Sequence, residues 1–200
     1  MQRLAYGPTA WLLDDVADPA ALARAITARG FDGVDDIVPA ESTVLVRCRR
    51  ASWSEIGDRL DTVTPLLTEA DLMGPLTIDV LYDGVDLADV AQQVGGSVDE
   101  VIDRHVAAEY TVAFCGFSPG FGYLRGLDPL LHLDRRATPR SQVPRGAVAI
   151  AAGYSAVYPS ASPGGWHLIG STTTTLWDEG ANPPAAMLPG RQVRFRRVDT

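Results

Sequence analysis

The segment Cys115-Gly-Phe-Ser-Pro-Gly-Phe-Gly-Tyr-Leu124 begins the part of this 200-residue sequence that decides its fold. From Cys115 to Gly170 the chain has nine glycines and six prolines in 56 positions, too many for long helices. Several short strands joined by such turns indicate a closed or sandwich-like β domain. Short strands are predicted at 111–114, 147–152, 166–169, 172–177 and 192–198.

The residues before this segment predict a small α/β unit. Asp18 is an N-cap ahead of Pro19, and Gly30 is a stop signal, so a helix is expected between them. Ser52 and Glu55 form a capping-box pattern that opens a second amphipathic helix. Strands are predicted at 3–6, 11–13, 43–48 and 76–82, and two more short helices at 86–94 and 97–105.

Composition and charge exclude several classes of protein. The 17 basic residues stand against 25 acidic ones, and this net charge of −8 argues against nucleic-acid binding. Every basic residue is Arg, and without Lys the sequence has no Schiff-base, pyridoxal-phosphate or P-loop lysine. No apolar run reaches the roughly 18 residues of a membrane helix, no signal peptide is recognised, and a cytoplasmic location is expected. The spacing of the histidines and cysteines predicts no metal site.

Three loops carry residue types suited to binding a small molecule. In 116–124, glycines allow close approach of a ligand while Phe and Tyr side chains supply flat walls. In 139–146, the Arg140 guanidinium lies between prolines and suits a carboxylate. In 158–167, the amides of Gly164 and Gly165 are candidates for an anion-binding nest.

Each of these features also has a structural interpretation. Loops of this composition are often turns with packed corners, and an arginine such as Arg140 is more often a surface or structural ion-pair residue than a ligand clamp. His105 lies on the apolar stripe of its predicted helix, which favours a buried histidine over an acid/base group.

The same loops resemble, in order and spacing, the landmarks of the KipI/PxpB family, also called allophanate hydrolase subunit 1. The resemblance covers nearly the whole chain. It rests on these motifs: Tyr82-Asp-Gly-x-Asp-Leu87, His105, Gly116-Phe-Ser-Pro-Gly-Phe-x-Tyr-Leu124, Pro139-Arg-x-x-Val-Pro-x-Gly-x-Val-Ala-Ile-Ala151 and Tyr158-Pro-x-x-Ser-Pro-Gly-Gly-Trp-x-Leu-Ile-Gly170.

The resemblance implies both a fold and a function. The expected fold is a mainly β, α+β chain with a small α/β domain at 1–84 and a cyclophilin-like β-barrel at 85–200. The expected function is that of the B component of a 5-oxoprolinase complex, which hydrolyses the lactam of 5-oxo-L-proline to L-glutamate with the C and A components as partners. ATP with Mg²⁺ is the co-substrate of that complex, and no cofactor is assigned to this chain. The alternatives are a non-catalytic inhibitor of a sensor histidine kinase and a subunit associated with allophanate or urea metabolism.

A candidate site follows from the motifs and residue types together. His105 and Arg140 are the candidate catalytic residues, with Arg140 expected to bind a carboxylate or phosphate. The other candidates are expected to bind substrate: Phe117, Pro119, Gly120, Phe121, Tyr123, Ser162, Gly164, Gly165 and Trp166.

Overall fold

The computed structural model describes residues 1–64 and 73–199, and the chain divides into the units Met1–Leu72 and Met73–Thr200. This division falls ahead of the boundary at residues 84 and 85 that the sequence predicted. The strand Leu76–Val80 accounts for the difference, because it pairs in parallel with the last strand of the second unit over its whole length. Within the described ranges, every helix is too short or too polar to span a bilayer.

The first unit is a four-stranded antiparallel sheet accompanied by two helices. The strand order is β1-β2-β4-β3. Its core contains apolar residues of α1, α2 and the strands, among them Leu13, Ile26 and Val46. The elements are β1 Gln2–Ala5, β2 Ala10–Asp14, α1 Pro19–Arg29, β3 Val34–Pro39, β4 Val44–Cys48 and α2 Trp53–Leu60.

Local signals set the ends of α1 but not the start of α2. Asp18 accepts a hydrogen bond from the backbone N–H of Ala21, and Gly30 ends the helix in the left-handed conformation with φ 59°, as predicted. The capping box expected at Ser52 does not form. A 3₁₀ turn at Arg50–Ser52 leads directly into α2, and the Ser52 side chain makes no capping hydrogen bond.

The second unit is built on a seven-stranded, barrel-like sheet. The strand order is β12-β9-β10-β7-β6-β13-β5, and β8 and β11 form a separate antiparallel pair. A bridge between Leu81 and Ser171 joins the two edge strands, with N–H to O distances of 2.9 and 2.8 Å. The elements are β5 Leu76–Val80, α3 Leu87–Gln93, α4 Val98–Ala107, β6 Tyr110–Cys115, β7 Gly122–Arg125, β8 Arg140–Val143, β9 Ala147–Ala151, β10 Tyr154–Val157, β11 Ser162–Gly164, β12 His167–Ser171 and β13 Gln192–Arg197.

The prediction of a small α/β unit followed by a mainly β unit with a barrel is therefore confirmed. The predicted strand at 172–177 is wrong, because the backbone N–H of Thr172 bonds to Gly146 O and its hydroxyl accepts from Thr174 N. That segment keeps only one β-bridge, between Trp177 and Ala185.

The two faces of the barrel sheet have different roles. Residues on the inner face, such as Leu124 and Ile150, form the main core with α3 and α4. Their chain neighbours Tyr123, Ala149 and Ala151 point to the outer face, because successive side chains of a strand alternate. The outer face carries a second apolar cluster with Phe121, Tyr158 and Trp166, and it is there that a pocket forms.

Candidate functional site

Five aromatic side chains surround a small pocket on the outer face of the barrel. We call it the aromatic pocket; its volume is about 90 Å³. Its aromatic walls are Phe117, Phe121, Tyr123, Tyr158 and Trp166. The remaining lining residues are Arg135, Pro163, Gly164 and Gly165.

Phe121 is the centre of the aromatic walls. Its ring centroid lies 5.1 Å from Tyr123, 5.2 Å from Tyr158 and 5.9 Å from Trp166, in each case edge to face. Tyr123 in turn stacks on Phe114 with the centroids 4.3 Å apart. Such edge-to-face and stacked pairs are favourable beyond their buried area, so the walls are held in place before any ligand arrives.

Phe117 is the exception among these rings, since 60% of its surface is exposed. Its backbone lies in the left-handed region with φ 68°, a conformation that costs a bulky residue roughly 1–2 kcal/mol. Tight hydrogen bonds hold the turn around it, from Ser118 N to Gly116 O and from Phe121 N to Ser118 O. The turn thus presents an apolar ring to solvent at the mouth of the pocket.

The two glycines of the pocket do not form the predicted anion nest. A nest requires a residue with positive φ, and neither Gly164 nor Gly165 has one. Gly164 instead pairs with Arg140 across the β8–β11 ladder, and the Gly165 carbonyl accepts from Arg136 N. Gly164 is needed because a Cβ there would overlap the Tyr158 hydroxyl.

The guanidinium that lines the aromatic pocket belongs to Arg135 and not to Arg140. Arg140 donates from Nη2 to Asp86 Oδ1 at 2.6 Å. Arg136 donates from Nη1 to the same oxygen at 2.8 Å. The predicted clamp residue is therefore engaged by a carboxylate of its own chain, while its Nη1 is buried without a partner.

Asp86 is the centre of this buried ionic network. Its other oxygen, Oδ2, accepts from the backbone N–H of Leu168 at 2.8 Å, and only 4% of the residue is exposed. Burial alone would raise the pKa of Asp86, but the hydrogen bonds from Arg140 and Leu168 and the charges of Arg140 and Arg136 hold it below the usual value. Asp86 thereby fixes the loop that carries Arg135 and Arg136 to strand β12.

The structure does not bring His105, the candidate acid/base residue, to the aromatic pocket. It is fully buried on the inner face of the barrel, where Phe195 lies 4.4 Å from its ring centroid. Its Nδ1 lies 2.7 Å from the Tyr82 hydroxyl and its Nε2 lies 2.8 Å from the Ser155 hydroxyl. Burial lowers the pKa of His105 to about 3, so this imidazole is neutral and holds the core together.

The hydroxyl of Tyr158 is a candidate hydrogen-bond donor for the pocket. Burial raises the pKa of Tyr158, and neighbouring Tyr123 raises it further, while the charges of Arg135 and Arg140 act in the opposite direction. The net shift is upward, so the hydroxyl keeps its proton at neutral pH. A neutral O–H beside a guanidinium suits a carboxylate or a carbonyl oxygen.

The structure brings together six of the nine residues predicted to bind substrate. These are Phe117, Phe121, Tyr123, Gly164, Gly165 and Trp166. The other three do not line the pocket: Pro119 and Gly120 form the turn, and Ser162 lies in β11 with its hydroxyl buried. Gly120 has φ 79°, and a Cβ at this position would press against Trp177. The backbone of the turn therefore explains why a glycine stands there.

Sequence reasoning left Tyr158, Pro163 and Arg135 out of the predicted site. Tyr158 and Pro163 both stand inside one of the family motifs, so the signal for them was present. Arg135 has no comparable signal, because it lies in an irregular loop outside every motif.

Comparisons with known proteins agree with this architecture. Residues 6–187 match the family described as carboxyltransferase domain, subdomain C and D. The chain is 38% identical to the B component of 5-oxoprolinase from Escherichia coli over 169 residues, which are 81% of this chain and 77% of that protein. It is 40% identical to the B component of 5-oxoprolinase from Haemophilus influenzae over 68% of this chain and 66% of that one. The crystal structure of TTHA0988 superposes with a TM-score of 0.86 at 31% identity, over 96% of this chain and 40% of that chain.

The match over residues 6–187, which includes most of both units, defines a protein of the carboxyltransferase-domain family, subdomain C and D type. Within that family the chain belongs to the KipI/PxpB group, as its motifs predict. The chain spans less than half of the length of TTHA0988.

Proposed function

We propose that this chain is the B component of an ATP-dependent 5-oxoprolinase, which opens 5-oxo-L-proline to L-glutamate together with the C and A components. The observation that carries this proposal is the 38% identity to the 5-oxoprolinase B component of E. coli over most of both chains. The composition of the complex and the use of ATP follow from the family resemblance, with Mg²⁺ as the companion of ATP.

The aromatic pocket suits the substrate of this reaction. 5-Oxo-L-proline is a small acid with a compact five-membered ring, one carboxylate and one lactam carbonyl. Phe121, Tyr123 and Trp166 offer apolar walls to the ring, as in most ligand sites of this kind. We assign the carboxylate to Arg135, because it is the charged residue that lines the pocket, and we assign a hydrogen bond with the ligand to the Tyr158 hydroxyl, which keeps its proton.

The pocket is better equipped to bind than to transfer protons. Opening a lactam breaks the C–N bond of an unstrained amide and needs a proton acceptor as well as stabilisation of negative charge. No Asp, Glu or His is among the residues lining the pocket, and Tyr158 stays protonated. We therefore place the proton acceptor outside this pocket, which fits a chain that acts only within a complex.

The decisive experiment is reconstitution of the reaction. The purified A and C components, with 5-oxo-L-proline and MgATP, should form glutamate only when this chain is added. Glutamate formed at the same rate without the chain would overturn the proposal. Inhibition of histidine-kinase autophosphorylation by the chain, with no glutamate in the first assay, would favour the inhibitor function.

A substitution tests the pocket within that assay. Arg135→Gln removes a charge-assisted hydrogen bond to the substrate carboxylate, so KM for 5-oxo-L-proline should rise about 10- to 100-fold. Arg125→Gln is the matched control, because Arg125 is exposed and lines no part of the pocket. An unchanged KM in Arg135→Gln would remove Arg135 from the substrate site.

A further inference from the structure

A larger and more polar cavity lies beside the aromatic pocket. Its volume is about 590 Å³, and Arg135 lines both cavities. We call it the polar groove and define it by the titratable side chains that line it: Asp89, His132, Asp134, Arg135, Arg136 and His167. Both cavities belong to the second unit of the chain.

The groove holds two guanidinium groups with unused donors. Arg135 is exposed and makes no ion pair or hydrogen bond with any residue in 1–64 or 73–199. Arg136 donates from Nη1 to Asp86, and 30% of its side-chain surface is still exposed. Guanidinium groups match the oxygens of phosphate in both charge and geometry, so this end of the groove favours a phosphate group.

His167 adds a buried polar atom that the protein leaves unsatisfied. Its Nε2 donates to the carbonyl oxygen of Asp134 at 2.9 Å, so Nδ1 is the ring nitrogen left without a hydrogen bond. That Nδ1 is buried and has no hydrogen-bond partner, and only 5% of the residue is exposed. Buried polar atoms of folded proteins are nearly always hydrogen-bonded, so an unsatisfied one at a groove indicates a place that a ligand completes.

Two carboxylates constrain which phosphate ligand fits. Asp89 and Asp134 also line the groove, and Asp89 accepts a hydrogen bond from Gln93 at 2.9 Å. Both carboxylates would repel a bare polyphosphate. They would attract the same ligand when it carries Mg²⁺, which proteins commonly hold through one or two carboxylates together with the phosphates of the ligand.

We propose that the polar groove binds a phosphate-bearing ligand as its magnesium complex, with Arg135 and Arg136 on the phosphate and Asp89 and Asp134 on the side of the metal. Naming this ligand as ATP rests on the proposed function. In that case Arg135 lies between the two substrates, and the phosphoryl donor occupies the cavity next to the acid that it activates.

The first test measures binding of pyrophosphate to the full chain by calorimetry, with and without Mg²⁺. Wild-type chain should bind magnesium pyrophosphate at least 10-fold more tightly than pyrophosphate alone. Asp89→Asn should bring the two affinities closer together. It should weaken binding of magnesium pyrophosphate, because a ligand for the metal is lost, and it should strengthen binding of pyrophosphate alone, because repulsion of the bare anion is relieved. Asp103→Asn, an exposed aspartate of α4 outside the groove, should behave as wild type.

The second test blocks the groove without altering the aromatic pocket. Ala137 is exposed and lines the groove only, so Ala137→Trp should abolish binding of magnesium pyrophosphate and of MgATP while 5-oxo-L-proline binding stays unchanged. Circular dichroism of the variant checks that it is folded. Arg135→Gln should weaken magnesium pyrophosphate binding about 10- to 100-fold.

The outcomes separate this inference from the proposed function. If the wild-type chain binds no magnesium pyrophosphate, or Ala137→Trp binds it normally, the groove is not the site, even when the complex makes glutamate. If binding follows the pattern above but no glutamate is formed, the groove stands as a phosphate site and the proposed function fails.

Discussion

Replacing Asp86 by Asn should destabilise the second unit of this protein, because it puts a hydrogen-bond donor at a buried position that only accepts hydrogen bonds. Asp86 accepts three hydrogen bonds, from Arg136, Arg140 and the backbone of Leu168, at 2.8, 2.6 and 2.8 Å. An amide cannot replace the carboxylate, because either its NH₂ group faces the Leu168 N–H or it faces the two guanidinium groups. In each orientation two donors oppose each other in a buried place.

The expected loss can be estimated from the burial of the partners. Removing one member of a buried ion pair typically costs 3–5 kcal/mol, about the range that applies here. Arg136 and Arg140 keep 30% and 25% of their side-chain surface exposed, so they regain part of their hydration. The lower end is therefore expected, about 3 kcal/mol, which corresponds to a fall in Tm of roughly 10 °C for a domain of this size.

The assay must report the second unit alone. Trp166 and Trp177 lie in that unit, while Trp11 and Trp53 lie in the first, so ¹⁹F NMR of chain labelled with fluorotryptophan resolves urea unfolding of each. Asp103→Asn is the matched control and should stay within about 0.5 kcal/mol of wild type. A loss below about 1 kcal/mol in Asp86→Asn would refute the view that Asp86 holds this region together.

Two further predictions concern buried positions near the barrel. The pKa of His105 is about 3 when folded and about 6.5 when unfolded, so the unfolded chain takes up the proton first and acid favours unfolding. Stability should therefore fall by about 1.4 kcal/mol per pH unit from pH 6 to 4.5, and urea unfolding of His105→Gln should lack this part of the slope. Gly84→Ala should destabilise by about 1–3 kcal/mol or more in the same assay, because its Cβ would overlap the backbone of Leu168 and Ile169. Gly180→Ala, whose Cβ would meet no atom closer than 3.4 Å, should remain near wild type.

The parts of the fold that were predicted from sequence depend on local interactions. Helix α1 begins and ends at its predicted caps, and helix α4 has the complete capping box of Ser97 and Glu100. Strands β3, β7 and β10 and the pair of β8 with β11 were missed. In the β8–β11 pair, Val143 lies opposite Ser162 within segments rich in glycine and proline, so the pairing depends on tertiary contacts and not on a pattern along the chain.

The candidate site was likewise predicted from the sequence only in part. The aromatic walls were predicted because Phe121, Tyr123 and Trp166 stand in motifs of unusual composition. The guanidinium was assigned to Arg140, since nothing local shows that Asp86, more than fifty residues earlier in the chain, engages it. Asp86 is the first residue of the helix predicted at 86–94, and that position gives no sign that its carboxylate pairs with Arg140.

Arg135, and not Arg140, is the arginine available to a ligand, and this explains how the loop that carries it can contribute to both the aromatic pocket and the polar groove. The carboxylate of Asp86 neutralises part of the charge of Arg136 and Arg140 and ties both to strand β12, which leaves Arg135 as the lining cation without a partner in the described structure. Arg135 is therefore free to face a carboxylate in the aromatic pocket and a phosphate in the polar groove. Since both ligands would use the same guanidinium, binding of one should change the affinity for the other, and the sign follows from charge. Two anions sharing one cation compete unless Mg²⁺ offsets the second charge, so magnesium should convert antagonism between pyrophosphate and 5-oxo-L-proline into independent or cooperative binding.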